Sequence, residues 1–466
     1  MALQLPEHLA LKSEYNHKYL RYRDYIDTVQ GVLHFSGEEV VSPYTKFHAE
    51  DSGISSCYNN KFWRTAGEED KRIVADVDEK PPNPLFNFEY VHQEDKIVRL
   101  FDVQHNKYLQ IRPEDECLIV SDVLPDHNPT LFNFKVIDWD TLVIFPTLVA
   151  FIGDNGSYLR VQSNGEYPFL QFSANEPTDP TVEVEVSFTR DGYVHYRSTY
   201  NQRFWKRAAG TNWILADTDD TTVQDATLFW PVKVNIGNVN VVVALQCNNN
   251  FCRRLNWGAG IESLNAALPS PLPPVTPEAH LTVRELVKSR TIFDLNFHVD
   301  DARIYNRRHN VVVATGVAQN RTLKSAYAVI LLSYEDTSTW ISNLDDFAFT
   351  SLIPTTLTSD TLFVLNDDEG DIIGILGHFD GPYHWGEDHI SKTQIRFPVV
   401  VPPMSKVKVT LLATTTSCDI PFSYSQRDTL IRQTPAAMTY IKEGGLYTGV
   451  SSYNFKHRRE TERLAG

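Results

Sequence analysis

Tyr58-Asn-Asn-Lys-Phe-Trp-Arg64 and Tyr200-Asn-Gln-Arg-Phe-Trp-Lys206 are two copies of one seven-residue pattern. Four more copies accompany them: Tyr15–Arg21 (YNHKYLR), Gln104–Gln110 (QHNKYLQ), Asp154–Arg160 (DNGSYLR) and Cys247–Arg253 (CNNNFCR). The fifth place is always Tyr or Phe, at Tyr19, Phe62, Tyr108, Tyr158, Phe204 and Phe251, and successive fifth places lie 43, 46, 50, 46 and 47 residues apart. Asn tolerates the left-handed backbone region and bonds its own main chain, which suits a turn entering a strand. On that strand the fifth place points one way and its neighbours the other. The six fifth-place aromatics are therefore expected to form a core. One copy cannot bury its apolar face alone, so several must close on each other.

Six units of about 45 residues would fit a six-bladed propeller. No WD or kelch signature is present, and the copies match three apart better than one apart. Arg203-Phe-Trp-Lys206 matches Lys61-Phe-Trp-Arg64, Ile214-Leu-Ala-Asp217 matches Ile73-Val-Ala-Asp76, and Leu170-Gln-Phe-Ser173 matches Leu33-His-Phe-Ser36. The fifth-place aromatics repeat at offsets of 139, 142 and 143 residues. That describes a duplicated domain of three units, and three four-stranded units with pseudo-threefold closure make a β-trefoil. The Pro-rich run 269–277 (PSPLPPVTP) looks like a linker. The expected last strands, Phe132–Ile137 and Leu281–Leu286, make it a loop inside the second trefoil instead. The expected domains are residues 1–140, 141–289 and 290–466.

After Arg290 the motif stops and period-2 runs take over, at Val311–Ala314, Ala326–Tyr334, Gln394–Val401 and Lys406–Leu412, which read as long extended strands. Between Thr337 and Asn366, 11 of 30 residues are Ser or Thr, with Phe347, Phe349, Leu352, Ile353 and Leu357 among them. Leu362–Leu365 and Ile372–Leu376 flank the acidic turn Asp367–Asp371, a hairpin pattern. Such a stretch suits a membrane-inserting β-hairpin, whose strands alternate lipid-facing apolar and lumen-facing polar residues. Composition alone favours the other reading, a surface hairpin of a stable sheet, since the alternation is imperfect and Pro354 interrupts it.

Composition agrees with a β-rich, multi-domain chain. The 466 residues exceed one hydrophobic core, and 25 Phe, 21 Tyr and 8 Trp against 3 Met favour pleated, half-buried surfaces. A net charge of −16 disfavours nucleic acid and simple electrostatic binding to anionic lipid. The start, MALQLPEHLALKSEY, has no basic and apolar leader pattern, so nucleocytoplasmic synthesis is expected, with action possible at membranes. The five cysteines, Cys57, Cys117, Cys247, Cys252 and Cys418, are expected to be free buried thiols. Asn155-Gly-Ser and Asn320-Arg-Thr are sequons that matter only on a secretory route.

Residues 5–287 resemble the amaranthin-type plant lectins. Lys18-Tyr-Leu-Arg-Tyr22, Asn60-Lys-Phe62, Val136-Ile-Asp-Trp139, Asn201-x-x-Phe-Trp205, Trp213-Ile-Leu-x-Asp217 and Asn265-Ala-Ala carry the likeness. Residues from about 290 look like an aerolysin-type pore-forming module. The match rests on Val400-Val-Pro-Pro-Met-Ser-Lys-Val, Ser417-Cys-Asp-Ile-Pro-Phe-Ser-Tyr-Ser-Gln-Arg-Asp-Thr-Leu430 and Tyr447-Thr-Gly-Val-x-Ser-Tyr-Asn-Phe455. The resemblance implies an all-β fold: two tandem β-trefoils followed by an elongated antiparallel β module. It implies binding of galactose- or GalNAc-type glycans and glycoproteins, a homo-oligomer with sites between domains of different protomers, and pores made by the hairpin. Asp345, Asp346, Asp360 and Asp367-Asp368 dilute the family's Ser/Thr alternation in that hairpin. A non-lytic lectin with an oligomerising or stress-related third domain is the alternative.

In the family, sugar contacts come partly from the loop before the Trp-Ile strand. In the second trefoil that loop offers Thr211, Asn212 and Trp213 as carbohydrate ligands. In the first it reads Gly67-Glu-Glu-Asp70-Lys-Arg72 without an aromatic, leaving Asp70 and Arg72 as hydroxyl ligands or as a solvated charged turn. Trp63 and Trp205 are either packing residues or ligand faces. His378, Asp380, His384, Glu387, Asp388 and His389 fall within twelve residues and could converge on a metal, but no HExxH or Cys-x-x-Cys supports this. No G-x-S-x-G, P-loop or post-strand G-x-G-x-x-G occurs, and Asp219-Asp220 or Asp367-Asp368 mean nothing without a cleft. No enzyme activity, cofactor or metal is expected. A glycoside hydrolase with carbohydrate-binding domains is the alternative from another class.

Overall fold

The computed structural model describes residues 5–464 apart from 51–52, 166, 223, 235–240, 258–259, 270–275, 345–352, 367–369, 371, 433 and 435. Two twelve-stranded sheets and one eight-stranded sheet follow one another along the chain. The first sheet runs from His8–Ser13 to Phe134–Asp138, the second from Leu148–Ile152 to Leu281–Glu285, and the third from Val287–Phe297 to Ala437–Arg463. The third sheet thus starts three residues before the expected limit at 290. No helix among the described residues is long and apolar enough to cross a membrane.

Each twelve-stranded sheet is three four-stranded units. In the first, the ring closes where Leu9–Ser13 pairs with Phe134–Asp138 and where His8–Leu9 meets Phe47–His48. The hairpins Tyr19–Ile26/Val29–Gly37, Phe62–Thr65/Ile73–Val77 and Lys107–Ile111/Leu118–Val120 cap it. This is the β-trefoil, and it recurs in the second sheet, where Leu281–Glu285 returns to pair with Leu148–Ile152. The Pro-rich run therefore leads back into the second trefoil; residues 270–275 of it lie outside the described residues.

The motif works as a turn plus a strand. Its third place, at His17, Asn60, Asn106, Gly156, Gln202 and Asn249, has positive φ in all six copies. The second-place Asn16, Asn59, Asn155 and Asn201 each accept the main-chain N–H two residues on, at 3.1–3.2 Å. In the third copy His105 holds the second place, and its own main-chain N–H donates to Asp102 of the preceding strand.

The core position is the sixth place, not the fifth as expected. Leu20, Trp63 and Leu109 join the first trefoil core, and Leu159, Trp205 and Cys252 join the second. Both tryptophans are fully buried, which settles them as packing residues. The fifth place faces outward because strand side chains alternate. Tyr19 sits between the trefoils, with its hydroxyl on Asp191 at 2.5 Å. Phe62 lies under the Arg303 guanidinium of the third sheet, and Tyr158 packs with Leu286, Val287 and Leu430. Tyr108 and Phe204 stay half-buried, while Phe251 is buried outside the shared core cluster.

The third sheet is built from strands far longer than those of the trefoils. Ser405–Leu430 has 26 residues, about 85 Å at the usual rise per strand residue, and pairs along most of its length with Ala437–Arg463. Its other side pairs with Val287–Phe297 at one end and Arg303–Asn320 at the other. Ala326–Ser342 pairs with Asp388–Val401 from Ala326↔Val401 to Thr339↔Asp388. The expected hairpin lies between those two strands as Thr355–Asn366 and Ile372–Pro382. Within the described residues, its main-chain pairing to the rest of the sheet is three residues of parallel ladder, Arg290–Ile292 with Thr355–Leu357.

All five cysteines are free and buried, as expected, and burial pushes the Cys57 thiol up to about 12. Asn320 is a sequon on paper only: it is buried, and its Nδ2 donates to the carbonyls of Lys324, Val401 and Pro402.

Candidate glycan-binding loops

In the second trefoil the loop between Arg203–Arg207 and Ile214–Thr218 is a rigid turn. Gly210 and Asn212 take positive φ, and the Asn212 N–H bonds the Ala208 carbonyl at 3.1 Å. The Asn212 Oδ1 accepts from Arg207 Nη2 at 2.7 Å and Nε at 3.1 Å. The Thr211 carbonyl accepts from Asn265 Nδ2 at 3.1 Å, and the Asn212 carbonyl accepts the Ala266 N–H. The Asn265 Oδ1 is buried and accepts no hydrogen bond from the described residues.

Trp213 is only 6% exposed. It packs edge-on against Phe169, 5.9 Å between centroids, with Leu215 beside it. A sugar stacks on an aromatic face, and this ring has none free. The exposed ring of the cluster is Tyr167, 61% open and 6.4 Å from Phe169. Sequence reading missed Tyr167; the available signal was the alternation Tyr167-Pro-Phe169 just after Gly165 at a hairpin tip.

The equivalent loop of the first trefoil uses up its own charges. Arg72 donates to both Asp70 oxygens at 2.7–3.0 Å and reaches Asp27 at 3.4 Å. That guanidinium holds the Asp70 carboxyl below the usual carboxylate range. Asp70 and Arg72 therefore meet, as an internal brace rather than an open pair of hydroxyl ligands.

The remaining expectations divide. Phe347, Phe349 and Leu352 of the insertion segment lie outside the described residues. Ile353 packs with Leu148 and Leu286 under the second trefoil, and Leu357 is buried with Leu365, Ile373 and Tyr383 in the third sheet. In the His/Asp cluster His384, Glu387 and Asp388 are exposed, Asp388 accepts from Thr339, and His389 packs on Phe379; nothing is described of the His378 side chain. Those described residues form no three-ligand group. A cavity of about 270 Å³ where the three sheets meet holds the acids Glu285 and Asp428. Both bond the buried Arg290, at 2.5 and 2.7 Å, so they serve as its ion-pair partners.

A family model, the Agglutinin domain, matches residues 3–115 and again 143–269, more than half of the chain and once in each trefoil. The chain belongs to the Agglutinin family. Its two agglutinin domains are the two trefoils, and the matched stretches include the Asp70–Arg72 and Thr211–Trp213 loops. No curated protein sequence matches the chain. Among solved structures, it is similar to a lamprey immune protein at 11% identity, over 79% of this chain and 87% of that one, with a TM-score of 0.27. It is similar to an aerolysin-like protein of Bombina maxima at 16% identity, over 37% of this chain and 99% of that one, with a TM-score of 0.20. The designed threefold-symmetric protein ThreeFoil aligns at 9% identity over 30% of this chain and 100% of its own, with a TM-score of 0.25. Superpositions this loose carry no argument, and the fold rests on the strand pairing above.

Proposed function

We propose that this protein is a glycan-binding lectin whose agglutinin domains bring a membrane-active β module to glycosylated surfaces, where copies assemble and the hairpin Thr355–Pro382 refolds into a barrel. The observation that carries this reading is the attachment of that hairpin. It hangs between two long strands that already pair with each other, and it is tied to the sheet by three residues of parallel ladder. Its release exchanges side-chain burial for pairing with other copies, and a closed barrel leaves no unpaired edge. An outward stripe of Tyr327, Val329 and Leu331, with Val400 across from Tyr327, supports self-association through this module. Galactose- or GalNAc-type glycans are the proposed ligands, with Tyr167 as the stacking face and Thr211, Asn212 and Arg207 as polar partners. None of these steps needs covalent chemistry.

The test is a reversible tether. Thr291 and Thr356 are direct neighbours in the parallel ladder, within the spacing a disulfide spans. Thr291→Cys/Thr356→Cys should bind glycan-bearing vesicles normally when oxidised and release no dye, with release restored by reductant. Release that ignores the tether would overturn the hairpin assignment. Glycan binding without release by the unmodified chain would leave a non-lytic lectin with an assembly domain. On a glycan array, Tyr167→Ala should lose binding; loss with Trp213→Ala but not Tyr167→Ala would move the site back to the buried ring.

A further inference from the structure

The ring of the first trefoil closes through only two register pairs between His8–Ser13 and Phe47–Glu50, and one of them sets His8 directly opposite His48. Directly opposed side chains share one face of a sheet. The two imidazoles lie 5.2 Å apart between centroids, 30° from parallel. Each has a carboxylate at Nδ1: Asp140 at 3.0 Å from His8 and Glu50 at 3.4 Å from His48. A carboxylate on Nδ1 fixes the tautomer and leaves Nε2 as the lone-pair nitrogen, the second-shell arrangement that orients histidine ligands. The Nε2 of His48 already faces Glu7 Oε1 at 3.8 Å. One ligand atom from each of Glu7, His8 and His48 lies within 4.8 Å of the other two.

Packing alone does not account for this arrangement. The rings are half-open to solvent, and three carboxylates surround them. Of the nearby cations, Lys80 is engaged by Glu50, and Lys46 lies over the Trp139 ring. Two imidazoles and one carboxylate suit zinc and its first-row neighbours better than magnesium or calcium, which take all-oxygen sites. We propose that Glu7, His8 and His48 form a site for a divalent transition-metal ion, with Asp140 and Glu50 orienting the two histidines and water completing the shell. A bound zinc would hold the three atoms at a common distance of about 2.0–2.2 Å, drawing them closer than their present spacing of up to 4.8 Å. Asp140 lies on the turn Trp139–Thr141, where the chain leaves the first agglutinin domain. The ion would therefore tie ring closure to that exit.

The experiment uses the full chain without an affinity tag, stripped by chelator, and titrated with Zn²⁺, with Co²⁺ as a spectroscopic stand-in and Mg²⁺ as control. One zinc equivalent should bind and raise the melting temperature, and Co²⁺ should give visible ligand-field absorption. Mg²⁺ should do neither. His48→Gln should remove that equivalent, and Asp140→Asn should weaken it about 10–100-fold while leaving the ligands in place. The chain has 15 His, so weak binding elsewhere is expected, and the decisive signal is loss of one equivalent in the variants. Zinc binding unchanged in His48→Gln and in a His8→Gln/His48→Gln double variant, each folded by circular dichroism, would overturn the site. So would the absence of any zinc-specific shift in the parent chain.

Discussion

The two agglutinin domains share a scaffold but meet the third sheet through different balances of polar and apolar contact. The first docks through polar groups. The Tyr22 hydroxyl donates to Asp301 at 2.5 Å, and the Tyr58 hydroxyl lies 2.7 Å from His298 Nδ1 and 3.2 Å from Asp301. Asn60 donates to Asp419, and Arg303 donates to the Asp78 carbonyl. The second docks mainly through Leu148, Ala150, Tyr158 and Val182 against Leu286, Val287, Ile353 and Leu430, with the buried Glu285–Arg290 ion pair within it and the Glu183–Arg432 ion pair at its margin. Hydrogen-bonded seams specify orientation and return little net free energy per bond, whereas apolar seams hold by area. Duplication preserved the core of each trefoil and left its outer face free to become a different joint.

The largest effect that sharpens this contrast is in the cores. Trp205→Ala and Trp63→Ala should each destabilise their own trefoil by about 3–5 kcal/mol. Hydrogen exchange should show protection lost in the third sheet beside the second trefoil for Trp205→Ala. For Trp63→Ala that sheet should stay protected. Equal spreading in both would end the distinction between the seams. Phe204→Ala, at the outward place, should cost far less than Trp205→Ala in the same melts.

At the apolar seam, Leu430→Ala leaves a cavity and should cost about 2–4 kcal/mol in denaturant unfolding. At the polar seam, Asp301→Asn turns charge-assisted bonds into neutral ones and should cost about 1–2 kcal/mol. A larger loss for Asp301→Asn than for Leu430→Ala would reverse the ranking. The smallest effect concerns Asp78. Burial raises its carboxyl above the usual 3.8, more than Lys61 and Arg303 lower it. A raised acid contributes stability that is present below the unfolded value and lost as pH rises through the folded one. Asp78→Asn should therefore raise the melting temperature slightly at pH 7, and the gain should fade towards pH 4.

Much of this organisation is legible in the residues. The offset between Phe62 and Phe204 states the duplication, and the second-place Asn states the turn. The choice between fifth and sixth place is not legible, because pairs such as Tyr19-Leu20 and Phe62-Trp63 are apolar at both positions. Only closure of the ring decides which of two alternating neighbours faces in. The covering of the Trp213 ring was hidden for a related reason. Trp213 sits in the expected turn, but Phe169, from a different unit, covers it. The His8–His48 pair was likewise out of reach, since forty residues separate two strands whose adjacency exists only once the ring closes.

One residue, Leu286, separates the last strand of the second trefoil from Val287–Phe297, the strand that enters the third sheet. The first trefoil leaves instead through residues 142–147, which belong to no strand. A pull on the second trefoil is therefore passed into the third sheet through Val287–Phe297, which holds eight register pairs with Ser405–Leu430. Load applied along that strand is shear: the hydrogen bonds share it and must yield together, where a peeling load would open them one at a time. The second trefoil is therefore coupled to the long sheet in series, by a strand, where the first is coupled to its neighbour by a loop.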